Sequence, residues 1–474
     1  MLQMVMICIC VMKFIFKIGL LFSGTILFFS LNVFAADKSG QSTSVEREIA
    51  ELKLELDTIK SLLAQKVEAK TAITKQEQED QNVAPSNKKS DKNWEINSYG
   101  SLRYKSEEVF SNTQDTDPER RASTDLERVV LEFVYDYDEK WQVEAEIEYE
   151  HGGVGSTLEY DGFEEFGEFE TEIEAGGEII VEKLQVKYQH SENLSIKMGH
   201  IFVPVGLGTD LHKPAQYLTT GRHWSEATLI PQVWHETGVN FIGHWQGFTG
   251  QALVTTGLNS EFFRTYNWVA TGHQKRFEQV NADDLAYTIR LDYGDVKKGK
   301  GIGVSFYTGD TSGNRNNSNK ISGDGNLTLW GIHGVWESKS WLFRGQYLSG
   351  TLEDSQEITL ANKTTPGLKP GNFAQLGSEA ESAFFEAAYN SQSLFSLSKP
   401  LYFFAAYEYA NPTKKVAQGA PIDRFNIQEV SIGMNYLPIP ELVFKVQIAQ
   451  QMYAQDNLDD THTFSLSLGY YFSI

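Results

Sequence analysis

Beyond its first 36 residues the chain contains no cysteine, because Cys8 and Cys10 both lie in the apolar leader. A mature chain starting after that leader can form no disulfide and no cysteine-based metal or catalytic site. It also lacks any further run of about eighteen apolar residues, which excludes helical membrane spans. If it crosses a bilayer, it does so as strands. Positive charge is scarce too: 63 Asp and Glu stand against 41 Lys and Arg, for a net charge of −22. Nucleic acid is not expected as a partner of so acidic a chain. The mean hydropathy of −0.35 is too polar for a helical membrane protein, but a barrel turns half of each strand and every loop to water.

What is present begins with the leader. Lys13 and Lys17 precede an apolar run from Ile18 to Phe34, which ends Val33-Phe34-Ala35 before Ala36 and Asp37. This pattern predicts a secretory signal peptide over residues 1–35, with a signal anchor as the alternative. Next, Val45, Ile49, Leu52, Leu56, Ile59 and Leu63 fall at alternating steps of four and three. That spacing predicts a periplasmic coiled-coil helix over 41–66, the other reading being a single amphipathic helix packed on another surface. Residues 67–93 carry no periodicity and almost no large apolar side chain, and are expected to be a flexible linker.

From Trp94 onward the period changes to two. In Trp141–Glu150, WQVEAEIEYE, the odd positions are apolar or aromatic and the even ones polar, nearly all carboxylates. Such segments recur near 95–105, 125–136, 141–150, 179–189, 195–202, 237–245, 249–257, 285–293, 301–308, 326–336, 341–350, 381–390, 400–409, 425–436, 442–452 and 462–473. Their connections alternate between short turns (DYDEK, HSENL, WQGF, ESKS) and long polar loops. An even strand count and this rhythm predict an all-β transmembrane barrel of about 16 antiparallel strands over 94–474. The aromatic share of 12% suits girdles at two membrane interfaces.

A lipid-facing outside and a watery inside fix the faces. Trp141, Val143, Ala145, Ile147 and Tyr149 are expected outside; Glu144, Glu146 and Glu148 are expected in the lumen. The same parity places Arg103, Lys183, Lys187, Arg290, Arg344 and Lys445 in the lumen. Opposed charges lining a passage order water and polar solutes; the alternative is that they pair across strands and only stabilise the wall. The segment VPVGLGTDLHKPAQYLTTGRHWSEATLIPQVWHE, carrying Asp210, His212, Lys213, Arg222, His223 and Glu226, is long enough to need a role. It is expected to fold inward as a constriction, or else to form an extracellular lid.

Two stretches beside this segment, GHIFVPVG (Gly199 to Gly206) and IPQVWHETGVNFIG (Ile230 to Gly243), resemble the outer-membrane porins of the phosphate-selective O/P type. More distantly, the helix-plus-barrel layout is similar to Legionella-type siderophore porins. The resemblance implies a sixteen-stranded channel in the outer membrane of a Gram-negative bacterium, forming a homotrimer amid lipid and lipopolysaccharide. In the O/P family, phosphate selectivity rests on a lumenal ladder of Arg and Lys, whereas here glutamates share the lumen. The expected function is therefore diffusion of small hydrophilic solutes or ions, with cations favoured. Selective uptake of a siderophore (ferric chelate) or phosphate is the alternative.

Five of the ten histidines are His200, His212, His223, His235 and His244, yet no pair has the short spacing of a familiar metal site, and no metal is expected. The loop 159–178 is dense in Glu and is expected either to attract divalent ions or to be a solvated surface. No catalytic pattern occurs, so neither enzyme activity nor a cofactor is expected.

Overall fold

Alternation turns each of these segments into a strand whose two faces meet different surroundings. The computed structural model describes residues 93–474 except 113–114, 153–154, 161–170, 177–178, 274–279, 317–319 and 365–374, and no side chain between 153 and 178. The expected signal peptide, the helix at 41–66 and the linker up to residue 92 lie outside the described residues, as do the side chains of the whole acidic loop 159–178.

The strands are β1 (Trp94–Val109), β2 (Glu119–Asp136), β3 (Trp141–Glu150), β4 (Gly155–Tyr160), β5 (Thr171–Gly176), β6 (Ile179–Ser191), β7 (Leu194–Phe202), β8 (His235–Trp245) and β9 (Phe248–Thr256). They continue as β10 (Leu285–Asp295), β11 (Lys300–Gly309), β12 (Leu327–Glu337), β13 (Trp341–Leu352), β14 (Gly377–Asn390), β15 (Leu401–Val416), β16 (Ile427–Ile439), β17 (Leu442–Tyr453) and β18 (Thr461–Ser473). All but β4 and β5 form one closed antiparallel barrel of sixteen strands in sequence order. It is sealed where β1 meets β18, from Asn97↔Ser473 to Glu107↔Thr463. Closure leaves no edge, so every strand's backbone groups are satisfied within the sheet. The pair β4 and β5 is a separate hairpin within the connection from β3 to β6. Among the described residues no helix is long and apolar enough to cross a membrane.

One end of the barrel carries the connections 137–140, 192–193, 246–247, 296–299, 338–340, 391–400 and 440–441, mostly short, and the other carries the mostly longer ones. Exposed aromatics ring the short-turn end: Tyr137, Trp141, Trp245, Tyr293, Trp336 and Trp341. They touch further rings there, Trp141 on Tyr188, Phe248 on Tyr293 and Trp341 on Phe343. Above them the outer surface is aliphatic, with Ile289, Val304, Ile332 and Ile432 exposed.

One register break changes the inner surface. Glu146 pairs with Lys183 but Ile147 pairs with Val181, so Glu182 is the extra residue of a bulge. Both Glu182 and Lys183 are consequently buried on the inside, where strict alternation would allow only one of them.

The expectation that every inner face is wet needs correcting. On the long-loop half of β10 to β14 the inward residues Ala286, Tyr307, Leu327, Leu329, Leu348, Leu352 and Ala380 belong to a dry cluster. Their partners come from connections folded into the lumen: Leu258, Phe263, Trp268 and Val269 from 257–284, and Ile358 from α2 (Ser355–Thr364). Trp268 is fully buried, donates its indole N–H to Gly377 O at 2.8 Å, and lies where a Cβ on Gly350 would fall 2.4 Å from its ring. Strands lined by apolar side chains on both faces stay stable because these loops exclude the water.

Candidate functional site

Residues 203–234, which join β7 to β8, lie inside the barrel and are gripped through their own backbone by inward side chains of the wall. Arg290 donates to Gly206 O at 3.0 Å, and Gln346 Oε1 accepts from Leu207 N at 2.6 Å. Arg128 donates to His212 O and Arg344 to Gln216 O. Lys445 donates to Tyr217 O and Thr219 O at 2.7 and 2.9 Å, and Asn435 donates to Leu218 O at 2.9 Å. Gln447 accepts from Thr220 N at 2.7 Å. These bonds reach the segment from β2, β10, β13, β16 and β17, so it spans the lumen rather than lining one side. A loop without regular structure can sit inside because the wall supplies the partners its backbone would otherwise take from water.

The segment's charged side chains are held as firmly. Asp210 pairs with Arg290 at 2.6 Å and Lys297 at 3.3 Å; burial disfavours its charge, but the two cations outweigh this and lower its pKa. Lys213 stands 3.6 Å from Glu132, and Arg222 stands 4.0 Å from Glu150. His212 Nδ1 donates to Thr209 O, 2.8 Å away; burial, reinforced by Arg128 and Lys183, keeps its pKa well below the usual histidine value. His223 stacks on Phe384, the rings 3.7 Å apart, and meets Glu408 at 3.1 Å and Glu386 at 3.5 Å. Burial opposes its charge, but these carboxylates prevail and raise its pKa.

The short helix α1 (Trp224–Leu229) follows, and its first N–H groups are served from the wall. Glu408 accepts from Ser225 N at 3.0 Å and from the Ser225 hydroxyl at 2.8 Å. Glu226 accepts from Gln346 at 2.5 Å and from Gly208 N at 3.3 Å. Burial raises the Glu226 pKa against the pull of those donors. A Cβ on Gly208 would fall 1.7 Å from Glu226 Oε1, so only glycine permits this close approach.

The nine wall residues named from parity have their side chains on the inner face, but most are already engaged. Arg103 lies 3.4 Å from Glu127 and 3.8 Å from Asp125, and Arg344 lies 3.0 Å from Glu386. Glu148 meets Arg128 at 3.4 Å. Lys183 joins Glu132 at 2.8 Å, Glu146 at 2.7 Å, and Glu144. Those three carboxylates converge as a cation site does, yet the Lys183 ammonium already stands among them. Lys187 lies nearer the short-turn end, directly across the strand pair from Lys197. Parity reasoning named no residue of β2, although Arg128 and Glu132 share one inward row there. It also omitted Gln447, two residues from Lys445 on β17, and Glu386 and Glu408 on β14 and β15, strands from which it named nothing. Glu182 left no sequence signal, because the bulge is set by pairing.

Between the segment and the wall a small gap of about 20 Å³ lies beside Leu207, Arg222, Glu226 and Arg344, room for one water. On the short-turn side a chamber of about 640 Å³ opens, lined among others by Lys197, Asp210, Asn240, His244, Gln251 and Lys297.

The fold and site define a sixteen-stranded antiparallel transmembrane barrel with an inserted, wall-anchored loop. No family model matches the chain. A curated protein of Aquifex aeolicus (strain VF5), described as an uncharacterized protein, is 26% identical over 378 residues, spanning 77% of this chain and 78% of that one. Among solved structures, the outer membrane channel DcaP of Acinetobacter baumannii shows 13% identity and a TM-score of 0.48, covering 81% of this chain and 99% of its own. Salmonella typhi OmpF in complex with daunomycin shows 11% identity and a TM-score of 0.48, covering 80% of this chain and 97% of its own.

Proposed function

We propose that the chain is an outer-membrane porin through which small hydrophilic solutes or ions diffuse, with residues 203–234 setting the narrowest point. The carrying observation is the inserted segment, fixed by charged wall residues inside a barrel whose outer face is aromatic and aliphatic. An apolar outside needs lipid, and a closed barrel is the strand architecture that a bilayer tolerates. In this reading the short turns and the helix at 41–66 are periplasmic, the long loops face outward, residues 1–35 are removed on export, and three copies assemble. Polar side chains around the chamber replace part of a solute's hydration, whereas the dry cluster confines solutes to the rest of the cross-section. Excess acid should favour cations weakly, because most lumenal charges already neutralise one another.

A receptor for a ferric chelate would require the segment to swing away from bonds on five strands, and its anchoring argues against this. The test is conductance of the purified protein in planar bilayers, with reversal potentials in a salt gradient. Small stepwise conductance with modest cation preference is expected. Folded protein that never conducts, or protein that is soluble without detergent, would sink the proposal.

A further inference from the structure

The two ends of the inserted segment are bracketed by histidines. On β7 and β8, His200 pairs with Thr237 and Phe202 with His235, so His200 and His235 are diagonal neighbours on one face. Their rings meet at 70° with centroids 4.7 Å apart, and His200 Nε2 lies 2.6 Å from His235 Nδ1. The other nitrogen of His200, Nδ1, is 3.1 Å from Thr237 Oγ1. A third imidazole, His273, has its ring centroid 6.3 Å from that of His235.

We propose that His200 and His235 form a binding site for one borderline divalent cation of the zinc or copper type. Two imidazolium ions cannot face each other at this distance, so the pair shares a single proton between two ring nitrogens. A cation held by imidazole takes the place of such a proton. Thr237 can accept the Nδ1–H of His200, which leaves Nε2 as the nitrogen with the free lone pair; metal-bound histidines are oriented by this kind of outer partner. Without the ion, His235 Nδ1–H donates to that lone pair; when the ion takes this proton's place, His235 carries its proton on Nε2 and presents Nδ1. With metal–nitrogen bonds near 2.0–2.1 Å in tetrahedral geometry, the two nitrogens would stand roughly 3.3 Å apart, a shift within reach of ring rotation. Imidazole donors select zinc, copper or nickel over calcium or magnesium, which take oxygen. His273 or water completes the shell. The ion would join β7 to β8 at the points where residues 203–234 leave and rejoin the wall. This inference stands apart from the channel reading, because it needs only the two strands.

The test uses the full mature chain in detergent, purified without a polyhistidine tag and stripped with chelator. Zinc is titrated calorimetrically, and copper is bound for electron paramagnetic resonance. One ion per chain is expected, with splitting from at least two nitrogens. His200→Ala and His235→Ala should each weaken zinc binding by about tenfold or more, and Thr237→Val by about tenfold. His200→Gln, which can still accept from His235, should keep the folded gel mobility while losing the ion. No saturable binding by the unaltered chain, copper coupled to fewer than two nitrogens, or a double alanine variant that binds as tightly, would each overturn the assignment.

Discussion

On one side of the lumen, from β1 to β3 and from β15 to β18, charged and amide side chains point inward among apolar ones such as Val130, Phe404 and Val443, and meet one another or the backbone of residues 203–234. On the other, along the long-loop half of β10 to β14, they are aliphatic or aromatic and meet Trp268, Phe263 and Ile358. Both regions answer the same pressure, to pair buried polar groups and to keep apolar ones from water. They do so with opposite chemistry, and the difference follows from what the connecting loops bring inside. A loop that carries its backbone inward needs donors and acceptors from the wall. A loop that carries indole and phenyl rings inward needs a greasy wall. The chamber opens on the short-turn side, where much of the lining is polar, and the proposed solute path belongs there rather than to the dry cluster.

The sharpest way to break this contrast is to hollow the dry side. Trp268→Ala removes a fully buried indole and its bond to Gly377 O, and should cost about 3–5 kcal/mol. Urea denaturation followed by the gel mobility of folded barrel measures it. Conductance should rise as well, because water enters the vacated space. Unchanged stability would show that the cluster is a passive filling rather than part of the barrel's support.

The second largest effect belongs to the polar side. Lys445→Met removes the ammonium that serves Tyr217 O and Thr219 O while keeping much of the volume. A loss of about 1.5–3 kcal/mol is expected from hydrogen bonds to a charged donor. Single-channel records should show a noisier current, since one spoke of the inserted segment is released. A quiet trace with wild-type conductance would mean that the remaining spokes suffice.

These two residues also mark how far the sequence could be read. Strand positions were legible because the alternation in stretches such as WQVEAEIEYE repeats sixteen times, and the short-long rhythm of the turns located both ends of the barrel. Lys445 was legible as an inward residue by parity. What it touches was not, because Tyr217 and Thr219 are far away in sequence. The dry cluster was hidden for a physical reason. In LTLWGIHGVW (Leu327 to Trp336) both faces are largely apolar, and alternation alone cannot say whether the second face meets lipid, protein or water. The histidine pair was hidden likewise, since spacing along the chain says nothing of residues brought together across paired strands.

A pH dependence probes the inserted segment through His223, which meets carboxylates of the wall. Burial lowers its pKa less than Glu408 and Glu386 raise it, with Glu226 adding to the rise. With the folded value above the unfolded one, the stabilisation is full below about pH 6.5 and is lost as pH rises through the folded value. Current noise should therefore grow on raising the pH through neutrality, and His223→Gln should remove the trend. A slope that survives this substitution would assign the titration to another group.

The smallest effect concerns charges that tether nothing. Lys187 and Lys197 are direct cross-strand partners, and like charges so placed oppose pairing. Lys197 also borders the chamber, where its charge acts on whatever passes. Lys197→Gln should therefore leave stability unchanged or raise it by about 0.2–1 kcal/mol, while moving the reversal potential further toward cations. Lys445→Met lowers stability and changes current, whereas this variant should change current without any loss of stability. If Lys197→Gln instead destabilises the barrel as Lys445→Met does, the division between charges that hold the inserted segment and charges that face the solute is wrong. The whole inner wall would then have to be treated as one cooperative network.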